Sequence, residues 1–272
     1  MNILILLGVA VFCVCLLWAV QSVVLIREGE PLAWPLRYTT QSPRVKYASR
    51  VMVHATWIII IVATPLLLGI SPSEWLRQEF STPVPWRDIA IAFLAMLVPI
   101  WAMYALWLAA GWVEIQPQHD DATRRAKLLR RFIGPWPLAL LEESVFRGIV
   151  LEQFLRSLPT SGTYTALAIV VSSLIFSSIH FVRRPVPGRV WQPAYGLFIV
   201  GCLFGLAYVV GGRSLWLPIA MHGAAVFGIQ TVRLYVVYKG PVWLLGYPEF
   251  PQCGVLGTLV VVVSAVALVL LV

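Results

Sequence analysis

Two adjacent carboxylates and an arginine, Glu142, Glu143 and Arg147, interrupt the run LLEESVFRGIV at residues 140–150, which is otherwise apolar enough to lie in a lipid bilayer. Charges are costly at that depth, so they mark either a functional site or an internal ion pair. On a helix, Glu143 and Arg147 are one turn apart and can pair. Glu142 points about 100° away from its neighbour and is left over. The plain alternative is a structural triad that locks this helix to its neighbours. The histidines further along the chain weigh against it.

The chain has 4 histidines. His54, His180 and His222 fall inside or at the edge of apolar runs. His119, beside Asp120 and Asp121, reads as a solvated surface residue. Ser173, Phe176, Ser177 and His180 share one helix face by their spacing. A face of small polar residues ending in an imidazole looks inward, towards protein or trapped water. His222 follows Pro218 by one turn and precedes Gly223, Ala224 and Ala225, so a neighbouring element can come close to its backbone. A lone intramembrane histidine is commonly a satisfied core residue, but two of them with an unpaired glutamate favour chemistry. Glu, His and His from three helices suit two mechanisms. Glu142 can act as a general base that takes a proton from water, or Glu142, His180 and His222 can hold a metal such as zinc that acidifies the water.

These residues resemble the CAAX endopeptidase and bacteriocin-processing (CPBP) group of intramembrane proteases, also called the glutamic-type or Abi family. Its three signatures are EExxxR, FxxxH, and a His followed four residues later by Asn. Glu142, Glu143 and Arg147 match the first, Phe176 and His180 the second, and His222 the start of the third. The resemblance covers roughly residues 132–238. It implies an endopeptidase with no cofactor, in which Glu142 and His180 activate water, His222 stabilises the oxyanion, and Glu143 and Arg147 hold the fourth helix in register. The implied substrate is a membrane-anchored protein or peptide, CAAX-like or carrying a sorting signal. The departure is Val226, where the family has Asn, so part of the oxyanion role is in doubt. Gln230, one turn further and about 12 Å from His222 along the axis, cannot simply replace that Asn. A zinc protease built on the same residues, and a non-catalytic scaffold or immunity protein that keeps the fold, are the alternatives.

The elements that must position these side chains are membrane helices. A chain of 272 residues that is 60% hydrophobic and 12% charged, with a mean hydropathy of +0.84, is an integral membrane protein rather than a soluble one. Apolar runs near the ~20 residues needed to cross a bilayer recur throughout. The predicted fold is all-α: a polytopic bundle of about eight spans forming a single membrane domain over residues 1–272. The predicted spans are 2–26, 51–70, 89–112, 132–154, 164–181, 195–210, 215–238 and 255–272. The first reads as a retained span rather than a signal peptide. Pro65, Pro99 and Pro218 predict kinks, not breaks.

The net charge of +8 does not indicate nucleic acid, because the basic residues lie in short loops between apolar runs. The odd-numbered connections carry fifteen Lys and Arg against four in the even-numbered ones. That bias predicts odd loops in the cytoplasm and both termini on the far side, in a plasma or inner membrane. Cys13, Cys15 and Cys202 read as packing residues and Cys253 stands alone in its loop, so no disulfide or thiolate metal site is predicted.

The second connection, residues 71–88, reads either as an amphipathic segment anchored by Trp75, Phe80 and Trp86 or as a plain loop. Gly201 and Gly205 form a GxxxG pair that predicts close helix packing. Counting ~1.5 Å per residue from the predicted span ends puts Glu142, His180 and His222 about 15, 6 and 20 Å from the cytoplasmic boundary. Membrane lipids and the substrate are the expected partners, and nothing in the sequence specifies an oligomeric state.

Overall fold

The computed structural model describes residues 3–30, 32, 42–80, 83–117, 119–183 and 191–272. Asn2, Arg37, Arg184 and Arg189, used above to place spans and loops, lie outside the described residues. The fold is an all-α bundle with a small two-stranded ribbon. Its long helices are α1 (Ile3–Arg27), α2 (Pro43–Leu67), α4 (Trp86–Ala109), α8 (Gly162–Arg183), α9 (Trp191–Val210), α10 (Trp216–Val232) and α12 (Val255–Leu271). The fourth predicted span is a continuous rod in three parts: α6 (Pro135–Glu143), a π-helical stretch Ser144–Leu151, and α7 (Glu152–Ser157).

Length and apolarity suffice for membrane crossing in α2, α4, α8 and α9, while α10, α12 and residues 11–27 of α1 are shorter apolar helices. Every predicted span therefore has a helical counterpart. The bundle is that of an integral membrane protein, and the number eight remains an expectation. Helix α4 shows why these sequences read as apolar all round. Ala92, Met96, Ile100, Met103 and Trp107 are buried at helical spacing, while Leu94, Val98 and Trp101 point outward and exposed. A helix apolar on both faces fits protein on one side and lipid on the other.

Two side-chain clusters organise the interior. One joins α4, α9, α10 and α12 around Tyr104, Trp107, Phe204 and Met221. The other joins α1, α2, the π-helical stretch, α8 and α9 around Trp57, Phe146, Phe176 and Tyr208. Neither Pro65 nor Pro99 breaks its helix, since α2 runs through the first and α4 through the second. Pro218 costs least, because it lies in the first turn of α10, where backbone N–H groups have no helical acceptor.

Three expectations need correction. The seventh span does not reach residue 238: α10 ends at Val232, and β2 (Val236–Tyr238) pairs antiparallel with β1 (Val113–Ile115). The run Val232–Tyr238 is short, β-branched and aromatic, so periodicity alone could not separate its last residues from a buried helix. The third connection, counted above among the short basic loops, holds β1 and the basic amphipathic helix α5 (Asp121–Ile133), capped by Asp120. The second connection contains a helix, α3 (Pro72–Glu79), capped by Ser71, but it does not anchor to the surface through Trp75. Trp75 is buried and packs against Gly148, and Glu79 is buried with it, while Trp86 is exposed at the start of α4.

The GxxxG pair does what its spacing predicts. A Cβ on Gly201 would stand 3.0 Å from Ser173 Cβ, and one on Gly205 would stand 3.0 Å from Ile169 Cγ2, so both glycines let α9 lie against α8. Gly201→Leu should therefore cost about 1–3 kcal/mol by overpacking, read as a lowered denaturation midpoint of the purified protein in detergent. Gly8→Leu, at a position with nothing within 4 Å, should leave the midpoint unchanged.

Candidate active site

Glu142 and Glu143 end α6, where the helix passes into its π-helical stretch. A π-bulge adds about one residue to a turn and recurs at functional sites because it reorients side chains. Here the widening is continuous, and the N–H of Glu152 bonds back to the Arg147 carbonyl, five residues earlier. Both carboxylates are buried, and so is Arg147 at 1% exposure.

Arg147 ties several helices together. Its Nη1 lies 3.0 Å from Glu143 Oε2, one turn back on the same rod. Its Nη2 donates to the Gly201 carbonyl of α9 at 2.9 Å. The guanidinium carbon stands 4.8 Å from the centre of the Phe176 ring of α8 and 5.4 Å from that of Phe204 of α9. Aromatic faces partly replace the water such a cation loses on burial. Glu143 and Arg147 thus fix the rod against its neighbours, and Gly201 supplies a carbonyl as well as a close approach.

The three sequence-predicted reactive side chains converge. His180 Nε2 and His222 Nε2 each lie 3.9 Å from Glu142 Oε2. The unequal depths counted from the predicted span ends do not keep the three side chains apart, and part of the difference came from the seventh span being drawn past the end of α10 at Val232. Glu142, His180, His222 and Val226 line one cavity of about 840 Å³. Phe176 lines it as well, and His54 lines it with its Nδ1 bonded to the Arg50 carbonyl at 2.7 Å. His119 sits apart, exposed and bonded to Lys127.

The two histidines differ in what stands behind them. His180 Nδ1 lies 2.8 Å from the Phe176 carbonyl of its own helix. A carbonyl only accepts, so Nδ1 carries the hydrogen and the neutral ring offers an Nε2 lone pair to the cavity. His222 Nδ1 lies 2.7 Å from Glu143 Oε1, and its ring stacks on Phe204 at 5.0 Å and 20°. The carboxylate and the stacked ring behind it fix the orientation of the imidazole, with Nε2 turned to Glu142. Glu143 is therefore shared between Arg147 and His222, which the helical spacing of Glu143 and Arg147 could not disclose. Sequence reasoning also missed Phe204, whose signal was no more than an aromatic residue on the glycine-bearing helix.

The polar face of α8 points inward as predicted, with Ser173, Phe176 and Ser177 buried. Ser177 Oγ donates to the Ala194 carbonyl of α9 at 2.8 Å, while Ser173 Oγ donates to its own helix at the Ile169 carbonyl. The small residues after His222 admit a close neighbour too. It is the indole of Trp136 on α6, whose Cζ3 would lie 2.6 Å from a Cβ on Gly223. Among the described residues no three His, Cys, Asp or Glu side chains are disposed to hold a metal ion.

Glu142 thus faces His180 and His222 at one cavity within a bundle of apolar helices. Residues 127–228 match the family described as type II CAAX prenyl endopeptidase Rce1-like, which agrees with the resemblance to CPBP proteases. The matched stretch contains Glu142, Glu143, Arg147, Phe176, His180, His222 and Val226. Neither a comparison with curated proteins nor one with solved structures returns a match.

Removing Arg147 leaves Glu143 buried with a single partner. Arg147→Met is expected to destabilise the protein by about 3–5 kcal/mol, the range for breaking one side of a buried ion pair. Arg147→Lys should recover little of the loss, because one ammonium cannot reproduce the fork that reaches Glu143 and the Gly201 carbonyl together. Chemical denaturation in detergent measures both.

Proposed function

We propose that the protein is a glutamic-type intramembrane endopeptidase that hydrolyses a peptide bond of a membrane-anchored protein or peptide. The observation that carries this proposal is the placing of Glu142 Oε2 at 3.9 Å from both imidazole Nε2 atoms. That gap is too wide for a direct hydrogen bond, and one water about 2.8 Å from each partner can bridge Glu142 to an imidazole.

Glu142 takes a proton from this water while the His180 Nε2 lone pair orients its second hydrogen, and the oxygen attacks the scissile carbonyl carbon. The carbonyl oxygen becomes the oxyanion, and His222 Nε2–H donates to it, backed by Glu143. Collapse breaks the C–N bond, and the proton held by Glu142 passes to the leaving amine. Arg147 and Phe176 act as positioning residues in this scheme. A cavity of about 840 Å³ has room for a short segment of substrate beside Glu142.

One observation favours a zinc protease: a carboxylate behind a histidine, as Glu143 stands behind His222, is the arrangement that orients zinc ligands. The spacing opposes it, since ligands at ~2.0–2.1 Å around a tetrahedral ion stand about 3.3 Å apart, closer than the 3.9 Å between Glu142 and each histidine. The zinc content of active, chelator-treated protein separates the two mechanisms.

Glu142→Gln and His180→Ala are each expected to lower cleavage at least ~10²- to 10⁴-fold with insertion and folding unchanged. Comparing membrane proteomes with and without Glu142 would supply the natural substrate. Full cleavage by either variant sinks the mechanism, and a cell that tolerates Glu142→Gln without consequence points to a non-catalytic scaffold.

Val226 lines the cavity one turn beyond His222, where a family Asn would present a second donor. With Glu143 behind His222, that donor is partly compensated, so Val226→Asn should change turnover by less than about tenfold in either direction. Loss of an essential oxyanion donor is worth ~10²- to 10³-fold. A hundredfold rise in turnover would therefore mean that the oxyanion site is incomplete as it stands.

A further inference from the structure

The far end of the rod that bears Glu142 and Glu143 holds a second set of buried ionisable groups, which the proposed chemistry does not use. Glu79, the last residue of α3, is 2% exposed, Glu152 is 4% and Tyr208 is 0%. Tyr208 Oη lies 2.8 Å from Glu79 Oε2 and 3.1 Å from Glu152 Oε2. A hydroxyl has one proton to donate. Both contacts are full hydrogen bonds only when one carboxyl group is itself protonated and donates to the tyrosine oxygen.

The surrounding charges say which one. Glu152 Oε1 has Arg156 Nε at 2.7 Å and Arg213 Nη1 at 3.5 Å. Glu79 forms no ion pair among the described residues. Around it stand Trp75 of its own helix, Thr64 of α2, the backbone of Gly148 in the π-helical stretch and, as the one cation lining the same space among the described residues, Arg156. Arg156 also reaches back to Gln78 at 3.1 Å. Burial, with a smaller push from the Glu152 charge, carries Glu79 up to about 8, against the opposing pull of the Tyr208 hydrogen bond and of Arg156.

The cluster is mechanically connected. The Glu79 carbonyl accepts from Leu215 N at 2.8 Å and from Ser214 Oγ at 3.3 Å, at the entry to the helix that carries His222. A Cβ on Gly148 would stand 3.1 Å from Glu79 Oε2, so the carboxyl group lies directly on the π-helical backbone.

We propose that Glu79 and Glu152 hold a single proton between them across Tyr208, and that this proton latches α3 onto the far end of the rod. With the proton in place the relay runs from Glu79 O–H to Tyr208 Oη and from Tyr208 O–H to the Glu152 carboxylate, with every member satisfied. Without it two buried carboxylates face one hydroxyl proton and repel each other. The folded chain holds this proton more tightly than the unfolded chain. Stability is therefore full at acid pH and falls as the pH rises from the ordinary glutamate range through about 8.

The test is the thermal midpoint of the full-length protein in detergent between about pH 6 and pH 9.5, a range that spans the titration of Glu79. The wild type should lose several degrees across it, while Glu79→Gln, a permanent neutral stand-in, should lose much less. A wild-type midpoint that does not fall, or a Glu79→Gln midpoint that falls as steeply as wild type, overturns the proposal. If Glu79→Gln fails to fold, Tyr208→Phe tests the same relay. It should lower the midpoint at about pH 6 towards the wild-type value at about pH 9.5, and an unchanged midpoint at the lower pH overturns the proposal equally. Neither readout depends on cleavage, so the peptidase assignment and the latch stand or fall separately.

Discussion

The burial of one guanidinium governs the arrangement of the middle of this molecule. Arg147 is almost wholly enclosed, and an arginine cannot escape the cost by shedding its proton. The surrounding helices must therefore supply what water supplied. They do so with the Glu143 carboxylate, the Gly201 carbonyl and the faces of Phe176 and Phe204. Each of these demands in turn fixes something else. The carbonyl is within reach because glycines let α9 settle onto α8. Phe204 is held where it can also stack on His222, and Glu143 is held where its Oε1, which also accepts from Arg147, meets the His222 ring. A hydrophobic residue of the same volume would pack at no electrostatic cost, but it would leave the orientation of Glu143 open, and with it that of the imidazole.

The two histidines of the cavity have the same side chain and opposite surroundings. His180 has a backbone carbonyl behind it, which leaves its Nε2 free to accept, and His222 has a carboxylate. The difference comes from the atom one bond further out, which a motif of residue types does not record.

How much of this was legible in the chain follows from the range of each interaction. Glu142, His180 and His222 stand out in the sequence because charged and imidazole side chains in apolar runs are expensive wherever the helices end up. The inward face of α8 and the GxxxG face of α9 are properties of single helices and are visible at fixed spacing. The partner of Glu143 depends on the relative rotation of two helices about eighty residues apart, so only the near partner, Arg147, could be read. Glu79 was hidden among the mixed charges of a connection. Burial there arises from α3 folding back against Gly148, and no local pattern announces that. The ribbon β1–β2 was lost in an apolar run that continued smoothly from α10.

The π-helical stretch Ser144–Leu151 also sets an angular phase. A π-helical turn holds more residues than an α-helical one, so along this stretch the rod falls behind the phase of an unbroken α-helix. Glu142 and Glu143 at one end and Glu152 at the other therefore face directions that uniform winding would not give them. The rod behaves as two keys cut on one shaft. Losing a single residue between them would leave each end intact and rotate one against the other, so this stretch should tolerate exchanges of side chain far better than any change in its length.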